Sequence, residues 1–161
     1  MRHRFAHDNC AVARTLEVIG DWWTLLVIRE AMLGSRRFAD FARELPIARN
    51  ILTRRLAHLV KKGVLVRVDK GVHGRRYEYE LTPMGKDLAT LMTVMRQWGD
   101  RWVFGAGREP IVVVDTRTER PIPRVRITGE DGAPIPGAAM RVVPGPGASK
   151  RTIARYRRAK R

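Results

Sequence analysis

The stretch ARNILTRRLAHLVKKG, residues 48–63, decides how the chain reads, because its apolar and basic residues fall on opposite sides of one helix. At 3.6 residues per turn Leu52, Leu56 and Leu59 form a stripe for burial. Asn50, Arg54, Ala57 and Lys61 lie on the far side, with Thr53 and His58 at its edges. One face packs, and the other is open to phosphates and bases.

Upstream, Ser35 is placed to cap a helix RRFADFAREL that stops before Pro46, with Phe38, Phe41, Ala42 and Leu45 on one side. A tight PIAR connection joins it to the opening helix, and two short helices so joined have the layout of a helix-turn-helix. Further back, Asp21 reads as the N-cap of WWTLLVIREAML. Its Trp22, Leu25, Leu26, Ile28, Ala31 and Met32 cover so much of the circumference that a central position is expected. Before it, residues 12–19 form a shorter helix ended by Gly20 as its C′ residue.

Downstream, Gly63 closes the helix; VLVRVDKG alternates apolar and polar, and RRYEYELT does so again on the return. The tip between them is Lys70-Gly71-Val72-His73-Gly74, with Arg75 and Arg76 at its base, so the hairpin is a wing beside the helix-turn-helix. Thr82 and Pro83 then open a helix carrying Leu88, Leu91, Met92, Met95, Trp98 and Trp102 at helical spacing. Such an apolar face at the edge of a small domain calls for a cover. A homodimer is expected, with its two-fold axis near this helix and Leu91, Met95, Trp98 and Trp102 at the interface.

The fold class is α+β, mainly α: a winged helix-turn-helix with a C-terminal dimerisation helix and a small β-rich extension. Three regions follow. Residues 1–102 make the winged domain. Residues 103–147, richer in Gly and Pro, keep short β patterns in IVVVDT, RVRIT and AAMRVV, enough for two or three strands but not for a second globular domain. Residues 148–161, without an acidic residue, make a basic, disordered tail.

The formal net charge of +16 on 161 residues attracts polyanions, whether nucleic acid or an anionic membrane surface. No apolar run is long enough to span a membrane, and residues 1–10 lack the apolar core of a secretory signal, so a cytoplasmic protein is expected. Cys10 is the single cysteine, which excludes an intrachain disulfide and a Cys/His zinc finger. No Gly-rich phosphate loop, nucleophile elbow or ligand-spaced His/Asp/Glu cluster is present, so an enzyme, a metal and a cofactor are not expected.

The order of these motifs resembles the HxlR-type transcriptional regulators, a branch of MarR-like winged helix-turn-helix proteins. The matching residues are Cys10, IGDWWTLLVI at 19–28, RRFADFARELP at 36–46, LTRRLAHLVKKGVLVR at 52–67, YEYELTPMGKDL at 77–88 and Trp98-Gly99. The resemblance implies a homodimer on a partly palindromic operator in double-stranded DNA, with a recognition helix at 48–62 in the major groove and a wing at 67–77 beside the minor groove. This chain departs from the family at Gly20-Asp21-Trp22, where a glycine-lysine pair is common, and at Val72-His73-Gly74, where prolines are usual. Relatives with a similar C-terminal extension often carry cysteine pairs there that could hold zinc; this chain has none, so no metal is carried over.

Arginine pairs bidentately with guanine and asparagine with adenine, which assigns Arg49, Asn50, Thr53 and Arg54, in the N-terminal half of the helix, to base edges. Ser35, Arg36, Arg37, Lys61, Lys70, Arg75 and Arg76 suit phosphates. His58 reads equally as a phosphate contact or a structural histidine. Cys10 is a candidate redox or electrophile sensor, as the resemblance implies for some members, or else a small buried hydrophobe. Trp22, Trp23, Trp98 and Trp102 line a pocket for an aromatic effector or serve as core and dimer contacts. The leading expectation is a sequence-specific repressor. The alternative is a winged-helix module for protein or RNA whose basic tail binds without sequence preference.

Overall fold

The computed structural model describes Phe5, residues 7–71 and residues 77–158. Four helices come first: α1 (Ala11–Ile19), α2 (Trp22–Met32), α3 (Phe38–Glu44) and α4 (Arg49–Lys61). An antiparallel hairpin follows, β1 (Leu65–Asp69) and β2 (Tyr77–Leu81), with Leu65 opposite Leu81 and Asp69 opposite Tyr77. Then come α5 (Pro83–Gly99), a π-helical turn at Asp100–Phe104, the two-residue strands β3 (Val114–Asp115) and β4 (Arg120–Pro121), and α6 (Lys150–Arg158). The order and the wing agree with a winged helix-turn-helix.

One core unites α1 to α4 and the start of the wing. Ile19, Val27, Ile28, Ala31, Phe41, Leu45, Leu52, Leu56, Leu59, Val64 and Leu65 are all buried, and the ring of Phe41 meets that of Tyr79 edge-on, centroids 6.2 Å apart. The stripe on α4 is thus buried as its spacing requires. Gly63, at φ +75°, takes the left-handed turn that frees the chain for β1. The Thr82 hydroxyl caps α5 by accepting the Gly85 N–H at 3.1 Å, with Pro83 at its first position.

Several local expectations are corrected. Trp22 is 73% exposed, so α2 is central without being buried all round. Its buried side is Thr24, Val27, Ile28, Glu30 and Ala31, while Leu25, Leu26 and Met32 pack at the core margin. Gly20 does not sit at positive φ; its φ is −74°, and glycine is required because an added Cβ would collide with the Leu16 carbonyl. Ser35 is not the cap of α3. The Asp40 carboxylate reaches back to the N–H groups of Arg37 at 2.9 Å and Arg36 at 3.3 Å, which starts the helix at Phe38. These bonds, the Arg37 one foremost, hold the Asp40 pKa below the ordinary carboxylate value.

The extension is less regular than its β patterns suggest. Pairing is limited to Val114 with Pro121 and Asp115 with Arg120, plus an isolated bridge between Thr128 and Pro134; AAMRVV forms no strand. Proline at frequent intervals denies it the run of N–H donors a longer ladder needs, and glycine weakens what strand remains by leaving no side chain to pack. Where a disordered tail is expected, Lys150–Arg158 is helical.

Candidate nucleic-acid interface

The buried leucine stripe fixes how α4 is rotated, and that rotation presents Arg49, Asn50, Thr53, Arg54, Ala57 and Lys61 to solvent. The helix is locked in place at three points. The Arg49 guanidinium lies 6.0 Å from the centre of the Phe38 ring on α3. Arg55 pairs at 2.7 Å with Asp21, whose carboxylate also caps α2 by accepting the N–H groups of Trp23 and Thr24. His58 Nε2 sits 2.8 Å from the Val18 carbonyl and ties the end of α4 to α1, which makes it a structural histidine.

On the solvent face the polar groups rest on their own helix. The Thr53 hydroxyl donates to the Arg49 carbonyl at 2.9 Å, and Arg54 Nε donates to the Asn50 carbonyl at 3.4 Å. Neither Arg49 nor Arg54 has a carboxylate partner among the described residues. The guanidinium of Arg54, and that of Arg49 beyond its contact with the Phe38 ring, are available to bases or phosphates.

The flanking cations have partners of their own within the fold. Arg37 pairs with Glu78 of β2 at 3.1 Å, and Arg36 turns inward to donate to the Ala31 carbonyl at the end of α2, 3.1 Å away. Tyr79 donates its N–H to the Arg36 carbonyl at 2.7 Å, so the wing is strapped to the turn that leads into α3. Arg36 is thereby held against α2, Arg37 keeps an exposed ion pair, and Ser35 is half-buried, its N–H given to the Glu30 carbonyl. Lys70 pairs with Glu80 at 3.2 Å. Arg75 and Arg76 lie outside the described residues.

Two participants escaped the sequence reading. Arg55 sits one residue from Arg54 but three from Leu52, so its helix position turns it toward the core margin. Arg67 lies 4.2 Å from the centre of the Tyr77 ring across the hairpin and stiffens the root of the wing.

The remaining candidates are scattered. Leu91, Met95, Trp98 and Trp102 are 39, 44, 61 and 63% exposed along α5 and its π turn. Trp22 contacts Trp23 edge-on at 5.8 Å, and no ring contact among the described residues links that pair to Trp98 or Trp102. Cys10 is exposed at the N-cap position of α1, which overturns its reading as a buried hydrophobe. Among the described residues no His, Cys, Asp or Glu group could hold a metal ion, and no helix is long and apolar enough to cross a membrane.

A helix-turn-helix whose second helix is buried on one side and basic on the other, followed by a strapped hairpin, defines the winged-helix class of transcription regulators. The chain belongs to the HxlR-like helix-turn-helix family, whose pattern matches residues 18–105. It is 39% identical over 148 residues to the HTH-type transcriptional regulator Rv3095 of Mycobacterium tuberculosis, covering 91% of this chain and 92% of the relative. The crystal structure of PA1607 superposes with a TM-score of 0.81 at 37% identity, over 88% of this chain and 99% of that one. The redox regulator HypR in its reduced form is similar over 56% of this chain and 91% of its own, with a TM-score of 0.53 and 32% identity. The chain is thus a transcriptional regulator with a helix-turn-helix domain, in a family of regulators and not of enzymes.

Proposed function

We propose that the protein is a homodimeric repressor that binds a palindromic DNA operator through α4. The observation that carries this reading is the solvent face of α4, where Arg49, Asn50, Thr53 and Arg54 stand together without carboxylate partners among the described residues, while Arg37 and Arg55 beside them are paired. Arg49, Asn50, Thr53 and Arg54 take base edges, and Lys61 and the wing take phosphates. The exposed apolar stripe of α5, with Val12 and Leu16 exposed on α1, supports dimerisation. Two copies of α4 then read half-sites about one DNA turn apart.

The test is a footprint on the chain's own promoter region, with the species sized in the same buffer. A protected palindrome and a two-chain particle are expected. Arg54→Ala should weaken binding by about 1–3 kcal/mol and relax base preference at one position per half-site. Equal weakening on every sequence would remove Arg54 from base reading, and sequence-blind binding by the unaltered protein would replace the operator model with the RNA- or protein-binding module.

A second reading concerns Cys10, whose exposure leaves the thiol open to reagents, and HypR, a relative in structure, is a redox regulator. Under it, oxidant or electrophile treatment releases operator DNA through an adduct or an inter-subunit disulfide at Cys10. A Cys10→Ser protein that still releases DNA on diamide treatment would exclude the cysteine as the switch.

A further inference from the structure

The last fourteen residues hold seven of the chain's 32 lysines and arginines and none of its 16 acidic residues, so they supply seven of the sixteen net charges. Most of the described part of this segment is not loose chain. In α6, Thr152, Ile153 and Tyr156 are half-buried, while Lys150, Arg151, Arg155 and Arg157 are exposed. Among the described residues none of these four cations has an acidic partner, in contrast with Arg37, Arg55 and Arg96 in the winged part.

The start of α6 is held by Asn9, just ahead of α1. Asn9 Oδ1 accepts the Ser149 N–H at 2.9 Å and the Thr152 hydroxyl at 2.7 Å, and its Nδ2 donates to the Gly147 carbonyl at 3.0 Å. Ser149 Oγ caps the helix by accepting the Thr152 N–H at 3.2 Å. Between α1 and α6 runs an open groove, into which Arg14 of α1 and Arg151 and Arg155 of α6 project, with Asp8 the one carboxylate among its lining residues. The cationic patch therefore spans two helices, with the start of α6 hydrogen-bonded to Asn9.

We infer that α6, clasped to Asn9, is a second duplex-DNA contact that binds backbone phosphates outside the bases read by α4. This rests on the DNA-binding reading above. Exposed arginines and lysines at helical spacing neutralise phosphates without reading sequence, and each phosphate so neutralised releases counterions, so α6 adds affinity and salt dependence but no base preference. Pre-ordering by Asn9 lowers the conformational entropy lost on binding relative to a free tail.

The test uses the full-length chain with Lys150, Arg151, Arg155 and Arg157 all changed to Gln, titrated against the operator and a random duplex over a range of salt. The slope of log K against log salt should fall by about 0.9 for each phosphate that is no longer neutralised, so by up to about 3.6, on both DNAs alike. The operator footprint, carried by α4, should keep its base pattern, which also reports that the fold is intact. Asn9→Ala keeps every charge, and should lower affinity for both DNAs because the helix is no longer held. An unchanged slope in the four-fold variant overturns the proposal, as does an Asn9→Ala protein with unaltered affinity. If the four-fold variant instead lost binding to phosphatidylserine vesicles and kept its DNA slope, the patch would be a membrane contact and the proposal would be wrong. Failure of the operator reading looks different: Arg54→Ala would leave base preference untouched while the random-duplex slope still responded to α6.

Discussion

The winged part and the extension are held together by different forces. From Ile19 to Leu65 the chain builds a continuous buried core, whereas from Val103 to Arg157 no described residue is buried. The extension is fastened at its edges instead. Gln97 on α5 donates to the Pro123 carbonyl at 3.1 Å and accepts the Val125 N–H at 2.9 Å, and Arg96 donates to the Ile111 carbonyl at 3.2 Å; the far end hangs on Asn9. Burial makes a structure cooperative, while exposed hydrogen bonds give segments that open one at a time. The same chain thus carries a rigid reader and a loosely pinned appendage.

Three substitutions probe that contrast. Phe41→Ala removes the largest fully buried side chain and should cost about 3–5 kcal/mol in denaturant unfolding, with α1 to α4 lost as a unit. A loss under about 1 kcal/mol would mean that the core is not cooperative. Gln97→Ala deletes two bonds, each worth about 0.5–1.5 kcal/mol, and should raise amide exchange in residues 111–125 while α2 and α4 stay protected. Faster exchange in α4 as well would show that the two regions open together. Val142→Ala, at a 69% exposed position, should shift stability by less than about 0.5 kcal/mol. A larger cost would reveal that the extension is covered in solution, and by the dimer proposal a second copy is the cover.

The winged part was legible because its elements announce themselves locally. The 3.6-residue stripe of α4, the Asp21 and Thr82 caps, Gly63 and the alternating hairpin each depend on neighbours in sequence. The features that differ depend on distant partners. That Arg36 caps the end of α2, and that Arg37 pairs with Glu78, follows from how the wing folds back on the turn before α3. Trp22 differs because apolar character does not guarantee burial, and a tryptophan in the first turn of a helix can face out. The face of α4 was readable to the residue; Arg55 was hidden by lying beside Arg54. In α6, composition pointed to disorder, and the helix rests on an asparagine 140 residues upstream that no local pattern connects to Ser149.

That clasp also bears on how the molecule assembles. Hydrogen bonds between Asn9 and residues 147, 149 and 152 bridge separations of 138 to 143 positions, nearly the whole length of the chain. Closing so long a loop carries an entropic cost, and three exposed bonds offset little of it until the intervening elements have already settled. Docking of α6 is therefore expected as the closing step of folding, and its release as the first step on warming.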